Sequence, residues 1–138
     1  PRSAAAAASG GGGSGASTRV LVSFTDGNVM LYDLDRQQPV WRQEGSHTET
    51  IFDCRFSSTD PNLLATASFD STVRVWDVRS ASCVKLLTGA EGILYCVSWS
   101  CDGRLLATSN NAGTVFVYDY ARGTVVKTFP HHTKQSLK

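Results

Sequence analysis

The sequence predicts an all-β fold made of short strands and tight turns. Three observations carry that expectation. Short runs rich in Val, Ile, Leu, Phe and Tyr recur along the chain. Clusters of Asp, Asn, Gly and Ser separate them in pairs, as hairpin turns require. No segment of ten or more residues places its apolar side chains at helical spacing.

Taken in order, residues 1–18 read PRSAAAAASGGGGSGAST. This Ala/Gly/Ser stretch has little to bury and is expected to be a disordered linker. Ala4 to Ala8 is too short and too weakly apolar for the core of a signal peptide. Gly10 to Gly13 is no phosphate loop, because no Lys-Ser/Thr follows at the required spacing. From Thr18 the composition changes. Val20 to Phe24 and Val29 to Tyr32 flank Asp26-Gly27-Asn28 and form a first hairpin. Leu63 to Ala67 and Val73 to Trp76 flank Phe69-Asp70-Ser71 and form a second. Leu105 to Ser109 and Val115 to Tyr118 flank Asn110 to Gly113 and form a third. Further β runs cover Val40 to Gln43, Ile51 to Phe56, Val84 to Leu87 and Leu94 to Trp99.

The hairpins repeat one another. LLATASFDSTVRVWDV (Leu63 to Val78) aligns without a gap on LLATSNNAGTVFVYDY (Leu105 to Tyr120), and Val20 to Leu34 fits the same frame. Aromatic-Asp pairs fall at Tyr32-Asp33, Trp76-Asp77 and Tyr118-Asp119, 44 and 42 residues apart. That period matches one four-stranded propeller blade of about 40–45 residues. The segment from Ser46-His47 to Trp76-Asp77 resembles a full WD40 repeat, and the resemblance extends over most of the chain after residue 18. It implies a partial WD40 β-propeller of about three antiparallel four-stranded blades. Repeats at 37–78 and 83–120 are complete, 19–35 is partial, and 121–138 begins a further repeat with His131-His132-Thr133. Propellers close with about 4–8 blades. The chain is therefore expected to be a fragment that needs its remaining blades for closure.

The resemblance also implies site residues. In the family a His, a hydroxyl residue, an Asp and a Trp form a buried structural tetrad. Here these are His47, Thr66, Asp70 and Trp76. Their chemistry suits that role. Indole donates, Thr donates and accepts, neutral imidazole does both, and carboxylate accepts only. A hydroxyl, an imidazole and a carboxylate would also suit a hydrolase triad. That reading leaves Trp76 idle and finds no oxyanion-hole signature, so no catalytic residue is expected. The flanking repeats are eroded. The first has Val22 and Tyr32 with only Asp26 kept. The third has Thr108 and Tyr118, but Ala112 replaces Asp and Ala90-Glu91 stands in place of Gly-His.

The face that family members use for partners maps to Thr50, Phe52, Phe69, Ile93, Tyr95 and Asn111. Exposed aromatic clusters favour protein or peptide partners. The expected function is a non-catalytic scaffold for protein–protein interaction. The alternative is the propeller domain of a nucleic-acid-associated complex or of a multidomain enzyme. A histone-tail reader is a subclass of the scaffold reading; it would need acidic residues beside an aromatic slot, and only Glu49, Asp53 and Glu91 are near.

Composition narrows these readings. The formal net charge is +1 and no Lys/Arg run occurs, which argues against a nucleic-acid surface. No stretch of about 18 apolar residues is present, so no membrane partner is expected. None of the four cysteines forms a C-x-x-C pair, and no metal or cofactor is expected. Cys54 and Cys96 sit at apolar strand positions and are expected to pack in the core. Trp41 is expected on an outermost strand. Unpaired thiols fit a reducing compartment, cytoplasmic first, with nuclear or ciliary placement as alternatives.

Overall fold

The computed structural model describes residues 4–9 and 17–130. It contains twelve strands: β1 (Ala4–Ser9), β2 (Arg19–Phe24), β3 (Val29–Asp33), β4 (Gln38–Gln43), β5 (Ile51–Phe56), β6 (Leu63–Ser68), β7 (Val73–Asp77), β8 (Ser82–Leu87), β9 (Leu94–Trp99), β10 (Leu105–Asn110), β11 (Val115–Asp119) and β12 (Thr124–Phe129). They form three four-stranded antiparallel sheets, β1–β4, β5–β8 and β9–β12, each in sequence order. Of the innermost strands, β1 adjoins β5 and β5 adjoins β9. This is a three-bladed arc of a propeller, as the repeats predicted.

Two features depart from the sequence reading. Ala4–Ser9, read as part of a linker, pairs with β2 from Ala4↔Phe24 to Ser9↔Arg19. Without it β2 would present an unpaired edge of N–H and C=O groups, which any extended chain can complete. The sequence repeat is also offset from the blade. The repeat at 37–78 begins with β4, but β4 pairs with β3 and so closes the first blade. Each repeat therefore supplies the outer strand of one blade and the three inner strands of the next. That offset ties neighbouring blades covalently. His131, His132 and Thr133, read as the opening of a further repeat, lie outside the described residues.

Apolar side chains fill the two spaces between sheets. Leu21, Val29 and Leu31 of the first sheet meet Ile51, Cys54, Leu64, Trp76 and Val78 of the second, with Trp41 and Phe56 packed alongside. Ala65, Ala67, Val73, Val75 and Leu87 of the second meet Leu94, Val97, Leu106, Phe116 and Tyr118 of the third. The second sheet is thus buried on both faces, which explains the near-continuous buried run over β6. Complete burial of each Leu or Val contributes about 1.5–3 kcal/mol.

The turns are held by the Asp of each aromatic-Asp pair. Asp33 Oδ1 accepts from the Asp35 and Arg36 amides at 3.0 and 2.9 Å. Asp77 Oδ1 accepts from the Arg79 and Ser80 amides at 2.8 and 3.3 Å, and Asp119 Oδ1 from the Arg122 amide at 2.9 Å. Each carboxylate anchors the turn into the outermost strand of its blade. The Arg36 amide holds Asp33 below the usual carboxylate range, and the Arg79 side chain does the same for Asp77.

Every outermost strand carries one unmatched valine. The register of β3 on β4 skips Val40, that of β7 on β8 skips Val84, and that of β11 on β12 skips Val126. All three are exposed. A bulge of this kind twists an edge strand and blunts it against pairing with other chains.

Candidate partner face and the network beneath it

The middle blade carries a continuous hydrogen-bonded chain. His47 lies in the 44–50 connection, where its amide donates to the Gly27 carbonyl at 2.9 Å. Gly27 has φ +81°, and a Cβ there would collide with the His47 carbonyl. Only glycine lets the β2–β3 turn approach so closely. His47 Nδ1 lies 2.8 Å from Asp70 Oδ2, and its Nε2 lies 2.7 Å from Thr66 Oγ1. The Trp76 indole N–H donates to the same Thr66 oxygen at 3.1 Å. One proton arrangement satisfies all four groups. Trp76 donates to Thr66, Thr66 to His47 Nε2, and His47 Nδ1–H to Asp70. Thr72 completes the end of the chain. Its hydroxyl donates to Asp70 Oδ1 at 2.6 Å and its amide to the same oxygen at 3.0 Å.

Burial decides the charge state. His47 is only 2% exposed. Desolvation lowers its pKa despite the attraction of Asp70, so the imidazole is neutral near pH 7. Burial pushes Asp70 the other way, but hydrogen bonds from Thr72 and His47 outweigh it and keep the carboxylate ionised. A buried Thr hydroxyl that already donates to His47 and accepts from Trp76 has no lone pair aimed at solvent. The arrangement cross-links β6, β7 and two connections; it does not present a nucleophile.

The flanking blades replace the network differently. In the third, Thr108 donates to the Cys96 carbonyl at 2.6 Å. Asn110 takes over the turn: its side-chain oxygen accepts from the Ala112 and Thr114 amides, and its Nδ2 donates to the Glu91 carbonyl at 2.7 Å. Tyr118 is fully buried, and its hydroxyl faces the Ala90 backbone without a hydrogen bond of ordinary geometry. Burial pushes its pKa up to about 12.

Above this network three aromatic side chains meet at the surface. Phe52, Phe69 and Tyr95 are 38%, 44% and 45% exposed. The Phe52 and Tyr95 rings lie 4.9 Å apart, and Phe52 and Phe69 6.4 Å apart. The cause is a pair of equivalent bulges. The register of β5 on β6 passes from Ile51↔Ser68 to Asp53↔Ala67 and skips Phe52. The register of β9 on β10 passes from Ser109↔Cys96 to Asn110↔Leu94 and skips Tyr95. Each extra residue is turned out of the pleat toward its neighbour. Thr50, Ile93 and Asn111 border the cluster but are engaged locally. The Thr50 hydroxyl donates to the Thr25 carbonyl at 2.9 Å, and Asn111 Oδ1 accepts from the Ile93 amide at 3.1 Å.

Asp53 was read as an acidic neighbour of an aromatic slot, but its carboxylate is a strut. Oδ2 accepts from the Val97 amide of β9 at 3.1 Å, and Oδ1 from its own neighbour Cys54 at 2.9 Å. Cys54 is buried as expected, whereas Cys96 is exposed. The Tyr95 bulge makes Leu94 and Val97 the buried positions of β9 and turns Cys96 outward, with Sγ 2.9 Å from Ser109 Oγ. Trp41, on β4, is half-buried, and its indole donates to the Val78 carbonyl of the next blade at 2.9 Å. Among the described residues no group of three or more His, Cys, Asp or Glu side chains could hold a metal ion.

Repeated four-stranded sheets with adjoining inner strands, the middle one carrying the His47–Thr66–Trp76 network, define a WD-repeat propeller. The WD domain, G-beta repeat family matches residues 38–77 and 81–119, more than half the chain, and the chain belongs to that family. It is 37% identical over 76 residues to myosin heavy chain kinase C of Dictyostelium discoideum, covering 54% of this chain and 9% of that protein. It is 40% identical over 54 residues to human (Homo sapiens) coronin-7, covering 39% and 6%. It is 38% identical over 58 residues to the GATOR2 complex protein WDR24 of Danio rerio, covering 42% and 7%. The chain thus spans less than a tenth of the length of each of these relatives.

Proposed function

We propose that these repeats form a non-catalytic scaffold that docks a protein or peptide partner on the Phe52–Phe69–Tyr95 face. The observation that carries this reading is the pair of matched bulges. They bring two aromatic rings from adjacent blades into contact at the surface, at a cost to the sheet ladders. Aromatic residues grouped at an exposed, rigidly supported position are the usual anchors of protein interfaces. Thr50, Ile93 and Asn111 form the rim of that face. A relative named as a member of the GATOR2 complex is in keeping with assembly as the general role. The kinase name of another relative belongs to a protein of which this chain covers 9%.

A further partner in this reading is the rest of the ring. Leu63 of the second sheet is partly buried against the third sheet, whereas Leu105, one repeat later, is 38% exposed. A following blade would cover it. The exposed thiols of Cys83, Cys96 and Cys101 favour a reducing compartment, and we assign the scaffold to the cytoplasm.

The test is Phe52→Ser with Phe69→Ser. Both side chains are exposed, so the melting temperature should change little, while co-purification of partners bound by the unsubstituted protein should be lost. Retention of the same partners at the same yield would overturn the docking assignment.

A further inference from the structure

The two ends of the sheets differ in charge. The connections 25–28, 44–50, 69–72, 88–93 and 111–114 all lie at the end that carries the aromatic cluster. Backbone bonds join them: the His47 amide to the Gly27 carbonyl, the Phe69 amide to the Thr50 carbonyl and the Asn111 amide to the Ile93 carbonyl. These connections hold Asp26, Glu44, Glu49, Asp70 and Glu91, and no Lys or Arg. The connections at the opposite end, 34–37, 57–62, 78–81, 100–104 and 120–123, balance three Asp against four Arg.

Three of the five carboxylates are committed. Asp70 is bound by His47 and Thr72, Asp26 accepts from the Asn28 amide, and Glu44 faces Arg42 at 3.7 Å. Glu49 and Glu91 are exposed and join no ion pair among the described residues. They stand three residues before Phe52 and four before Tyr95 on the connections that enter β5 and β9. Their backbones are fixed, since the Glu49 carbonyl accepts from Ser68 Oγ and the Glu91 carbonyl from Asn110 Nδ2. Two uncommitted carboxylates thus enter on the same two strands as two aromatic rings 4.9 Å apart. The negative faces of the rings and the carboxylates both favour a cation.

We propose that the occupant of this face is a basic linear peptide, with an Arg or Lys side chain laid over the Phe52–Tyr95 pair and its charge met by Glu49 and Glu91. The inference rests on the docking reading above and adds the chemistry of the partner. The same carboxylates repel nucleic-acid phosphates and acidic peptides.

The test uses the full chain and three pools of short fluorescein-labelled peptides: Arg/Lys-rich, Asp/Glu-rich, and uncharged Leu/Phe-rich. Binding is read by anisotropy at about 50 and about 200 mM salt, a change that shortens the screening length about twofold and so weakens exposed charge contacts. The basic pool should bind, more weakly at the higher salt. Glu49→Gln with Glu91→Gln should weaken it about tenfold, and Glu49→Lys with Glu91→Lys should abolish it. Circular dichroism should show unchanged strand content, since both positions are exposed. Binding of the Leu/Phe pool that is lost with Phe52→Ser but indifferent to the Glu variants would overturn the cationic inference and leave the docking face standing. Basic-pool binding unaffected by Phe52→Ser would overturn the docking reading itself. Failure of the basic pool to bind would overturn the inference.

Discussion

At the scale of single residues, stability concentrates in buried polar groups that bond to one another. His47 and Thr66 are almost fully buried, so either one left alone would keep an unpaired polar atom away from water. His47→Ala or Asp70→Ala should therefore destabilise the chain by about 1–3 kcal/mol, measured by urea denaturation. The same network sets a pH dependence. The folded state holds the His47 pKa below 6.5, whereas the unfolded chain takes up a proton near that value. The unfolded state then binds more protons, so stability is full above about pH 6.5 and falls as pH drops toward the folded pKa. The slope reaches at most about 1.4 kcal/mol per pH unit for one proton. Asp70, also lowered, extends the loss once pH falls through its unfolded value of 3.8. Thermal melts of His47→Gln should lose the slope just below pH 6.5 and keep the loss at lower pH.

At the scale of elements, strands and turns follow from local chemistry, but the bulges do not. β-branched runs bounded by Asp26-Gly27-Asn28, Asp70-Ser71 and Asn110 to Gly113 make the hairpins legible from sequence. The extra residue at Phe52 or Tyr95 has no comparable local mark. It becomes visible only when β5 and β9 are laid against β6 and β10. The misplacement of Cys96 has the same origin, because an inserted residue shifts which side chains face the core. Asp53 belongs to this scale as well. Its carboxylate joins β5 to the Val97 amide of β9, and no spacing rule signals a bond 44 residues away. Asp53→Ala should cost about 1–2 kcal/mol and raise amide hydrogen exchange at Val97 more than at Leu106.

At the scale of the whole molecule, the blades are a linear array in which each sheet is stabilised by its neighbours. The middle sheet has both faces covered, and among the described residues it alone carries the full His–Thr–Asp–Trp set. Substitutions at equivalent repeat positions should therefore have unequal effects. Leu63→Ala, against the third sheet, should cost about 1–2 kcal/mol, whereas Leu105→Ala should stay within about 0.5 kcal/mol in this chain. Equal losses by denaturant unfolding would contradict this packing.

The amino-acid sequence alone determined the strand content and the repeat of 44 and 42 residues, and the resemblance of that repeat to a WD40 repeat implied the middle tetrad. Each depends on residue type at short or fixed spacing, and a repeat makes such spacing visible. Tertiary structure decided the rest. It placed β4 in the first blade, turned Phe52 and Tyr95 together at matched bulges, committed Asp53 to a strut and left Glu49 and Glu91 on the connections beside the rings. Those outcomes depend on register between strands and on which sheets face each other. Both are set by packing across the whole arc, to which no single segment of sequence contributes enough to be read alone.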